Sequence, residues 1–226
     1  MLWLFDYDLT LYGTEERRVL QSLDHRISLF VQKVTNVEFD EAAKIRTEYL
    51  YEYGTTLAGL QARHNVHPDD FFDFIHEPKY LIYPKYSEQK KALLQSVEGI
   101  RYVFTNGRGD WSDAGLRNMG IRTCFEQIFD IHCMDWIGKP NESAYQKMEA
   151  FLRLRHAEYF DDDGMLKNPR EIIMVEDSLR NLEMAHKRGW MTVWVNPTTD
   201  VPDWLDFCIP HILNLPEVLA KLDCVN

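Results

Sequence analysis

Cysteine is scarce in this chain, and the few cysteines present are not arranged as pairs or as a metal site. They are Cys124, Cys133, Cys208 and Cys224, in a chain of 226 residues. No two of them form a C-x-x-C pair, and none belongs to a Cys/His cluster with zinc-site spacing. Dispersed cysteines in a chain of this length predict reduced thiols, as in cytoplasmic proteins, rather than a disulfide framework.

The chain also lacks an excess of positive charge and any long apolar run. It has 25 Lys and Arg against 36 Asp and Glu, a formal net charge of −11. This balance argues against binding of nucleic acid polymers or anionic membranes through a basic face. No apolar run reaches the length of a membrane span, and the first residues lack the basic region and cleavage site of a signal peptide. We therefore expect a cytoplasmic protein, for which an anionic small molecule is still a suitable substrate if a metal ion is bound.

The most informative feature that is present is a pair of aspartates directly behind a short apolar run. Leu2–Phe5 has the length and composition of a buried strand, and Asp6 and Asp8 follow at positions i and i+2. Alternate side chains of an extended backbone point to the same side, so both carboxylates are expected to face one spot at the carboxyl end of the strand. Neighbouring carboxylates stay ionised beside a hard cation such as Mg²⁺. The alternative for these residues alone is an acidic turn after an edge strand.

The periodicity of apolar residues predicts strands that alternate with helices. The predicted strands are Leu2–Phe5, Arg101–Thr105, Ile128–Ile131, Ile172–Val175 and Met191–Val195. Between the first two strands, residues 14–83 show helical periodicity and almost no strand signal. Alternating strands and helices form a parallel sheet covered on both faces. The sequence therefore predicts an α/β fold, with a Rossmann-like parallel-sheet core of residues 1–13 and 84–226 and an inserted all-helical cap domain of residues 14–83.

Four loops at the carboxyl ends of these strands carry polar residues. These residues are Asp6, Asp8 and Thr10, then Thr105 and Asn106, then Lys139, and finally Glu176 and Asp177. Taken singly, each loop has an ordinary explanation: Asn-Gly is a common turn, a lysine before proline is usually a surface residue, and Glu-Asp-Ser starts a helix with Ser178 as its cap. Since parallel strands end at one edge, the loops gather there. Together they supply a nucleophile, an acid/base, a hydroxyl, an ammonium and Mg²⁺-binding acids, as phosphoryl transfer to a carboxylate requires.

With these motifs in this order, the chain resembles the haloacid dehalogenase (HAD) superfamily, in the subclass with a helical cap between the first and second motifs. The matching motifs are Asp6-x-Asp8-x-Thr10, Val103-Phe104-Thr105-Asn106, Lys139 and Glu176-Asp177. Within the superfamily, segments 51–60, 103–107 and 176–182 most resemble bacterial pyrimidine 5′-nucleotidases. The resemblance covers essentially the whole chain. It implies a Mg²⁺-dependent phosphomonoester hydrolase whose small-molecule substrate is a pyrimidine nucleoside 5′-monophosphate such as UMP or CMP.

The resemblance also implies a catalytic role for the core motif residues. Asp6 is expected to attack phosphorus and form an aspartyl-phosphate. Asp8 is expected to protonate the leaving oxygen and then to deprotonate the water that hydrolyses the intermediate. Thr105 and Lys139 are expected to bind the phosphate oxygens through a hydroxyl and an ammonium, and Asn106 to contribute its backbone N–H.

A magnesium site follows from the same resemblance. The Asp6 carboxylate, the Asp8 backbone carbonyl and Asp177 are expected to hold Mg²⁺ together with water molecules. Glu176 is expected to act on the ion through these ligands or through a water molecule.

The chain departs from the usual pattern of the superfamily at three places. Leu9 stands where Gly or Asn is usual, and Gly138-Lys139-Pro140 replaces the more usual Pro-Lys-Pro. Residues 155–170 form a longer connection with three consecutive aspartates. No glutamate follows them at the position that a calcium loop requires, so we expect a solvated acidic loop. In the cap, Tyr49, Tyr51 and Tyr53 are expected to pack between helices rather than to stack on a base.

Three other functions share parts of this pattern. A capped phosphatase or phosphomutase acting on sugar phosphates or phosphoglycolate would share every core residue and differ only in the cap. A haloacid dehalogenase is disfavoured by Asp8, because breaking a C–Cl bond releases chloride and needs no proton donor. A non-catalytic binding module on this fold is expected to have lost a core residue, and none is lost here.

Overall fold

The computed structural model describes residues 1–223, and its centre is one sheet of six parallel strands. The strands are β1 (Leu2–Phe5), β2 (Ile100–Phe104), β3 (Gln127–Phe129), β4 (Ile172–Glu176), β5 (Met191–Val195) and β6 (Phe207–Ile209). Their order across the sheet is β3-β2-β1-β4-β5-β6. The predicted α/β fold with a Rossmann-like parallel sheet is confirmed.

Strand β1 lies between β2 and β4, and the loops after these three strands begin at the same edge of the sheet. All its residues are buried, as expected for an apolar strand covered on both faces. Phe5 lies opposite Val103 of β2 and Val175 of β4. The three strands therefore end at nearly the same level, and the loops that follow them leave the sheet side by side.

The chain divides into two compact units. The core unit contains residues 1–15 and resumes at Lys85, and the helical unit is Glu16–Pro84. The cap domain was predicted at 14–83, so the observed unit begins two residues later and ends one residue later. The helices of the helical unit are α1 (Arg17–Thr35), α2 (Phe39–Tyr53), α3 (Thr56–His64) and α4 (Pro68–Ile75).

Two of the three cap tyrosines pack between α2 and α3. The Tyr49 ring occupies the space where a Cβ on Gly59 would lie, at 2.4 Å, and its hydroxyl is 2.8 Å from His64 Nε2. The Tyr53 hydroxyl accepts a hydrogen bond of 2.7 Å from Arg63 Nε. Tyr51 differs from the expectation of packing, because 84% of its surface is exposed. It stands on the opposite side of α2, two residues from each packed tyrosine.

The core unit contains five longer helices. They are α5 (Glu88–Ser96), α6 (Gly109–Asn118), α7 (Glu142–Arg155), α8 (Leu179–Lys187) and α9 (Leu215–Asp223). Three of them, α6, α7 and α8, lie between consecutive strands from β2 to β5, as the predicted alternation of strands and helices requires. No helix in residues 1–223 is long and apolar enough to cross a membrane.

Within the acidic connection of residues 155–170, residues 160–166 form a tight hairpin. Phe160 and Leu166 form an isolated antiparallel bridge. Asp161 closes the turn, because its side chain accepts a hydrogen bond of 2.8 Å from the Met165 backbone N–H. Asp162 and Asp163 are exposed. Exposed carboxylates are typical of a solvated loop.

The cysteines of the described chain are free thiols. Cys124 is buried, Cys208 is partly exposed and Cys133 is exposed. Cys224, which the sequence analysis also assigned as a reduced thiol, lies outside the described residues.

Candidate functional site

A buried lysine ammonium stands at the centre of the carboxyl edge of the sheet. Lys139 is 1% exposed, and its Nζ donates to Asp6 Oδ1 at 2.9 Å, to Glu176 Oε2 at 2.7 Å and to the Phe104 carbonyl at 2.6 Å. An ammonium has three donors, so all three are satisfied. Lys139 therefore connects the ends of β1, β2 and β4 through one side chain.

Three carboxylates gather beside this ammonium. Asp6, Glu176 and Asp177 each place an oxygen within 4.8 Å of the other two. Burial and then the negative charge of Glu176 raise the pKa of Asp6 to about 8, against the lowering effect of Lys139. Burial, followed by the charge of Glu176, also raises the pKa of Asp177 well above its usual range. Three carboxylates against one ammonium leave an excess of two negative charges when all are ionised.

The cluster fits a hard divalent cation. Its donors are all oxygen atoms, which Mg²⁺ prefers, and a charge of +2 would balance the excess of the ionised groups. Glu176 is already engaged at both oxygens, by Lys139 Nζ and by the Ser178 backbone N–H at 3.1 Å. Asp6 is also engaged at both oxygens, by Lys139 Nζ and, at 3.4 Å, by the Thr10 hydroxyl. The direct and indirect roles expected of Asp6 and Glu176 towards an ion therefore stay predictions.

Asp8 lies in the turn after β1, outside the group of three carboxylates. Its Oδ1 accepts hydrogen bonds from the Tyr12 hydroxyl and, at 3.1 Å, from Trp111 Nε1. Asp8 Oδ2 and Thr105 Oγ1 are both close to Gly107, at 3.6 Å and 3.4 Å from the point where a Cβ would stand. The first two motifs therefore meet at Gly107. Neither Tyr12 nor Trp111 was predicted from the sequence as a partner of Asp8, although Tyr12 stands four residues after Asp8.

Thr105 is buried at the end of β2 with its hydroxyl in the site. It is 1% exposed, and its Oγ1 accepts a hydrogen bond of 3.0 Å from the Gly107 N–H. The hydroxyl hydrogen is a separate donor. The position therefore agrees with the expected role of Thr105 as a donor to an anionic group.

Asn106 has a positioning role that the sequence did not predict. Its Oδ1 accepts from the Lys139 backbone N–H at 2.7 Å, and its Nδ2 donates to the Lys139 carbonyl at 2.8 Å. A Cβ on Gly138 would lie 2.5 Å from this Oδ1. The amide side chain thus clamps the loop that carries the ammonium, and the clamp leaves no room for a side chain at position 138.

Ser178 differs from its expected role as a side-chain cap of α8. It occupies the N-cap position, but its side chain forms no capping hydrogen bond. Its backbone N–H donates instead to Glu176 Oε1. The main chain at the start of α8 therefore orients the Glu176 carboxylate. In a serine cap, by contrast, the serine side chain would accept a hydrogen bond from a main-chain N–H of the helix.

The fold and site have counterparts among known proteins. A family profile described as haloacid dehalogenase-like hydrolase matches residues 4–189. A HAD hydrolase of Bacillus subtilis bound to magnesium is 18% identical, with a TM-score of 0.57 and coverage of 96% of this chain and 97% of that chain. A HAD phosphatase from Thermococcus onnurineus is 19% identical, with a TM-score of 0.60 and the same coverage. An L-2-haloacid dehalogenase from Xanthobacter autotrophicus is 14% identical, with a TM-score of 0.57 and 98% of each chain covered. At these identities the solved structures show a shared fold.

Proposed function

This chain belongs to the haloacid dehalogenase-like hydrolases, and from that premise we propose that it is a phosphomonoester hydrolase dependent on Mg²⁺. The observation that carries the proposal is the presence of two separately held carboxylates, those of Asp6 and Asp8. Asp6 is bonded to a buried ammonium, and Asp8 is a second carboxylate held by two donors in the adjoining turn. A nucleophile and a separate acid/base are what hydrolysis through a phosphorylated carboxylate requires.

The first half of the proposed reaction transfers the phosphoryl group to Asp6. A carboxylate oxygen of Asp6 attacks phosphorus, and the bond between phosphorus and the ester oxygen breaks. Asp8, protonated at this stage, gives its proton to the departing alkoxide. Tyr12 and Trp111 fix the orientation of the Asp8 carboxylate, because both donate to the same oxygen.

The second half hydrolyses the aspartyl-phosphate. Asp8, now ionised, takes a proton from a water molecule, and the oxygen of that water attacks phosphorus. The bond between phosphorus and the Asp6 oxygen breaks, so inorganic phosphate leaves and both aspartates return to their first state. The Thr105 hydroxyl donates to a phosphoryl oxygen. The Lys139 ammonium, whose three donors are taken by protein acceptors, acts on the phosphoryl group as a nearby positive charge.

Asp6, Asp177 and the Asp8 backbone carbonyl would hold the magnesium ion, with Glu176 acting indirectly. When bound, Mg²⁺ supplies positive charge that neutralises the phosphoryl group and favours the ionised form of Asp6. The raised pKa of Asp6, about 8 without a cation, supports a site built to receive one.

The proposed substrates are pyrimidine nucleoside 5′-monophosphates, UMP and CMP above all. This specificity is supported by the resemblance of segments 51–60, 103–107 and 176–182 to pyrimidine 5′-nucleotidases. The core residues would serve other phosphomonoesters equally well, so the experiment has to compare substrates.

The test is phosphate release from UMP, CMP, dTMP, AMP, GMP, phosphoglycolate and several sugar phosphates, with and without Mg²⁺. Chloride release from 2-chloropropionate is measured in parallel. Preference for UMP and CMP supports the full proposal, and preference for another ester keeps the chemistry but overturns the nucleotide specificity. Chloride release without phosphate release, or silence across the panel, overturns the proposed activity.

Asp6→Asn separates this chemistry from a contaminating phosphatase. Because the amide is a poor nucleophile, kcat is expected to fall at least about 10³-fold while the fold is retained. Asp163→Asn, in the exposed hairpin, is the matched control and should keep full activity. Substantial turnover by Asp6→Asn with an unchanged substrate profile would show that Asp6 is not the nucleophile.

A further inference from the structure

The helical unit has a pocket of its own, with a volume of about 490 Å³. Its lining includes Arg18, His25, Arg26 and Leu29 of α1, and Tyr80 and Ile82 from the segment after α4. The α1 residues lie at i, i+7, i+8 and i+11, so they share one face of the helix. The α1 side of the pocket therefore combines basic, polar and apolar side chains, and the segment after α4 adds an aromatic and an aliphatic one.

The pocket carries an excess of positive charge in a strongly acidic chain. None of the described residues that line it is acidic. Arg18 forms no ion pair or hydrogen bond through its side chain within residues 1–223. Arg26 pairs with Glu77 at 3.2 Å, but Glu77 also pairs with Lys79. These three cations and one carboxylate leave a local excess of two positive charges.

Arg26 is held rigidly and has donors to spare. The residue is 6% exposed, and its guanidinium carbon lies 4.0 Å from the centre of the Phe74 ring and 4.3 Å from that of Tyr80. Both hydrogen bonds leave from Nη2, to the Phe74 carbonyl and to Glu77. Among the described residues, the buried Nε has no acceptor. Nη1 forms no hydrogen bond to residues 1–223 and is not among the buried unpartnered atoms, so it is the donor that an oxyanion in the pocket can reach.

We propose that this pocket binds a small organic molecule with an oxyanion group and a flat apolar part. Arg18 and Arg26 bind the oxyanion, because guanidinium groups pair with phosphate and carboxylate oxygens through charge-assisted hydrogen bonds. Leu29, Tyr80 and Ile82 contact the apolar part, which agrees with the mixed lining of small-molecule sites. None of these residues belongs to the carboxylate site, so this proposal stands independently of the proposed hydrolase activity.

The test is calorimetric titration of the full chain with phenylphosphonate, a probe that cannot be hydrolysed as an ester. The protein is first freed of metal with EDTA, which is then dialysed away because it is itself a carboxylate anion, so that no probe binds at the carboxylate site through a metal ion. Saturable binding of phenylphosphonate, with none of benzyl alcohol, is expected because the oxyanion is the group recognised. Benzoate in a parallel titration shows which oxyanion is preferred. Absence of saturable binding of both anions at millimolar concentration would overturn the proposal.

Variants locate the binding. Arg18→Gln is expected to weaken binding about tenfold, the loss of one charge-assisted interaction. Arg17→Gln removes a neighbouring exposed arginine that does not line the pocket, so its affinity should be unchanged. Arg26→Lys keeps the charge but removes the planar donor group and is also expected to weaken binding; if it does not fold, Arg18→Gln decides. Equal affinity in wild type, Arg17→Gln and Arg18→Gln would place the binding elsewhere and overturn the assignment.

Discussion

At the scale of single residues, Lys139 determines how the site is held together. Its ammonium is buried against two carboxylates and a carbonyl, and removing one partner of such a buried pair leaves an uncompensated charge. Burial alone would lower the pKa of Lys139, but Asp6 and Glu176 outweigh it and raise that pKa. The lysine is therefore a permanent cation, and the protonation changes in the site fall on the carboxylates.

Gly138 is expected to be intolerant of even a methyl group. In Gly138→Ala the new Cβ would lie 2.5 Å from Asn106 Oδ1, so the amide clamp on the Lys139 loop has to shift. A displacement of about 1 Å in a catalytic group lowers rates by up to about 10²-fold. We expect kcat/KM for the best substrate to fall about tenfold or more. Ile137→Ala, at an exposed position in the same loop, is the control, and a wild-type rate in Gly138→Ala would contradict the clamp.

The sequence predicted which residues gather but not how they contact one another. Their location depends on strand order, because parallel strands bring their loops to one edge whatever the distance in sequence. The Asn106 clamp and the Trp111 bond to Asp8 depend on side-chain positions across loops 33 and 103 residues apart. Leu9 shows the same limit: its φ of +62° explains why Gly or Asn is usual there, but only the backbone shows that the left-handed turn is kept.

At the scale of elements, the end of α8 depends on a glycine. Gly189 has a φ of +78°, and its N–H donates to the His186 carbonyl at 2.8 Å, so it terminates the helix. This turn leads the chain into β5, whose residues pair with β4.

Gly189→Ala is expected to destabilise the core unit. A Cβ there would be strained by the positive φ and would lie 3.2 Å from Pro169 Cγ. The free energy of unfolding should fall by about 1 kcal/mol, as measured by urea denaturation. Lys187→Ala, at an exposed position two residues earlier, should change it little. Equal stability of wild type and Gly189→Ala would contradict the capping role.

Element prediction failed where the local signal was weak. The sequence analysis did not predict β6, because Phe207–Ile209 is a three-residue edge strand with two half-buried positions, too short for a periodic pattern. β3 was predicted at Ile128–Ile131 and is observed at Gln127–Phe129, since its end is set by pairing with β2. By contrast, β1 and β5 are uniformly apolar or β-branched, and their predicted bounds match the observed ones.

At the scale of the whole molecule, the carboxylate cluster couples stability to divalent cations. An ion that binds only the folded state stabilises it by about 2.7 kcal/mol at 100 times its Kd. We therefore expect Mg²⁺ to raise the Tm and EDTA to reverse the rise. Asp177→Asn should abolish the effect, whereas Asp162→Asn in the exposed hairpin should retain it. An identical Mg²⁺ response in Asp177→Asn would place the ion elsewhere.

Glu15 connects its own segment of the core unit to two segments that are distant in sequence. Its Oε1 accepts hydrogen bonds from the Gly13 N–H, from Lys90 Nζ and from His211 Nε2, at 3.1, 3.0 and 3.1 Å. Burial alone would raise the pKa of Glu15, but these hydrogen bonds, that of His211 first, lower it to about 2. The ionised carboxylate is therefore more favourable in the folded chain than in the unfolded one.

The sign of the resulting pH dependence follows from that shift. The unfolded pKa is about 4.3, so the stabilisation by Glu15 is complete above it and is lost as the pH falls towards 2. Glu15→Gln should lower the free energy of unfolding at pH 7 by about 1 kcal/mol, a value that allows for solvent screening. The difference from wild type should shrink below about pH 4.5. Glu48→Gln, at an exposed position, is the control; a pH-independent difference would contradict the assignment.

The position of β1 also has a consequence for how the protein is made. β1 pairs with residues 100–103 and with residues 172–175, so the ribosome has to synthesise most of the chain before this strand has both neighbours. The whole helical unit is complete before either neighbour exists. Until then the four apolar residues of β1 have no strand partner. Exposed apolar strands of this kind are prone to aggregate, and chaperones protect them. A translation product that stops before residue 176 lacks two of the three clustered carboxylates, so no shorter nascent chain contains the assembled site.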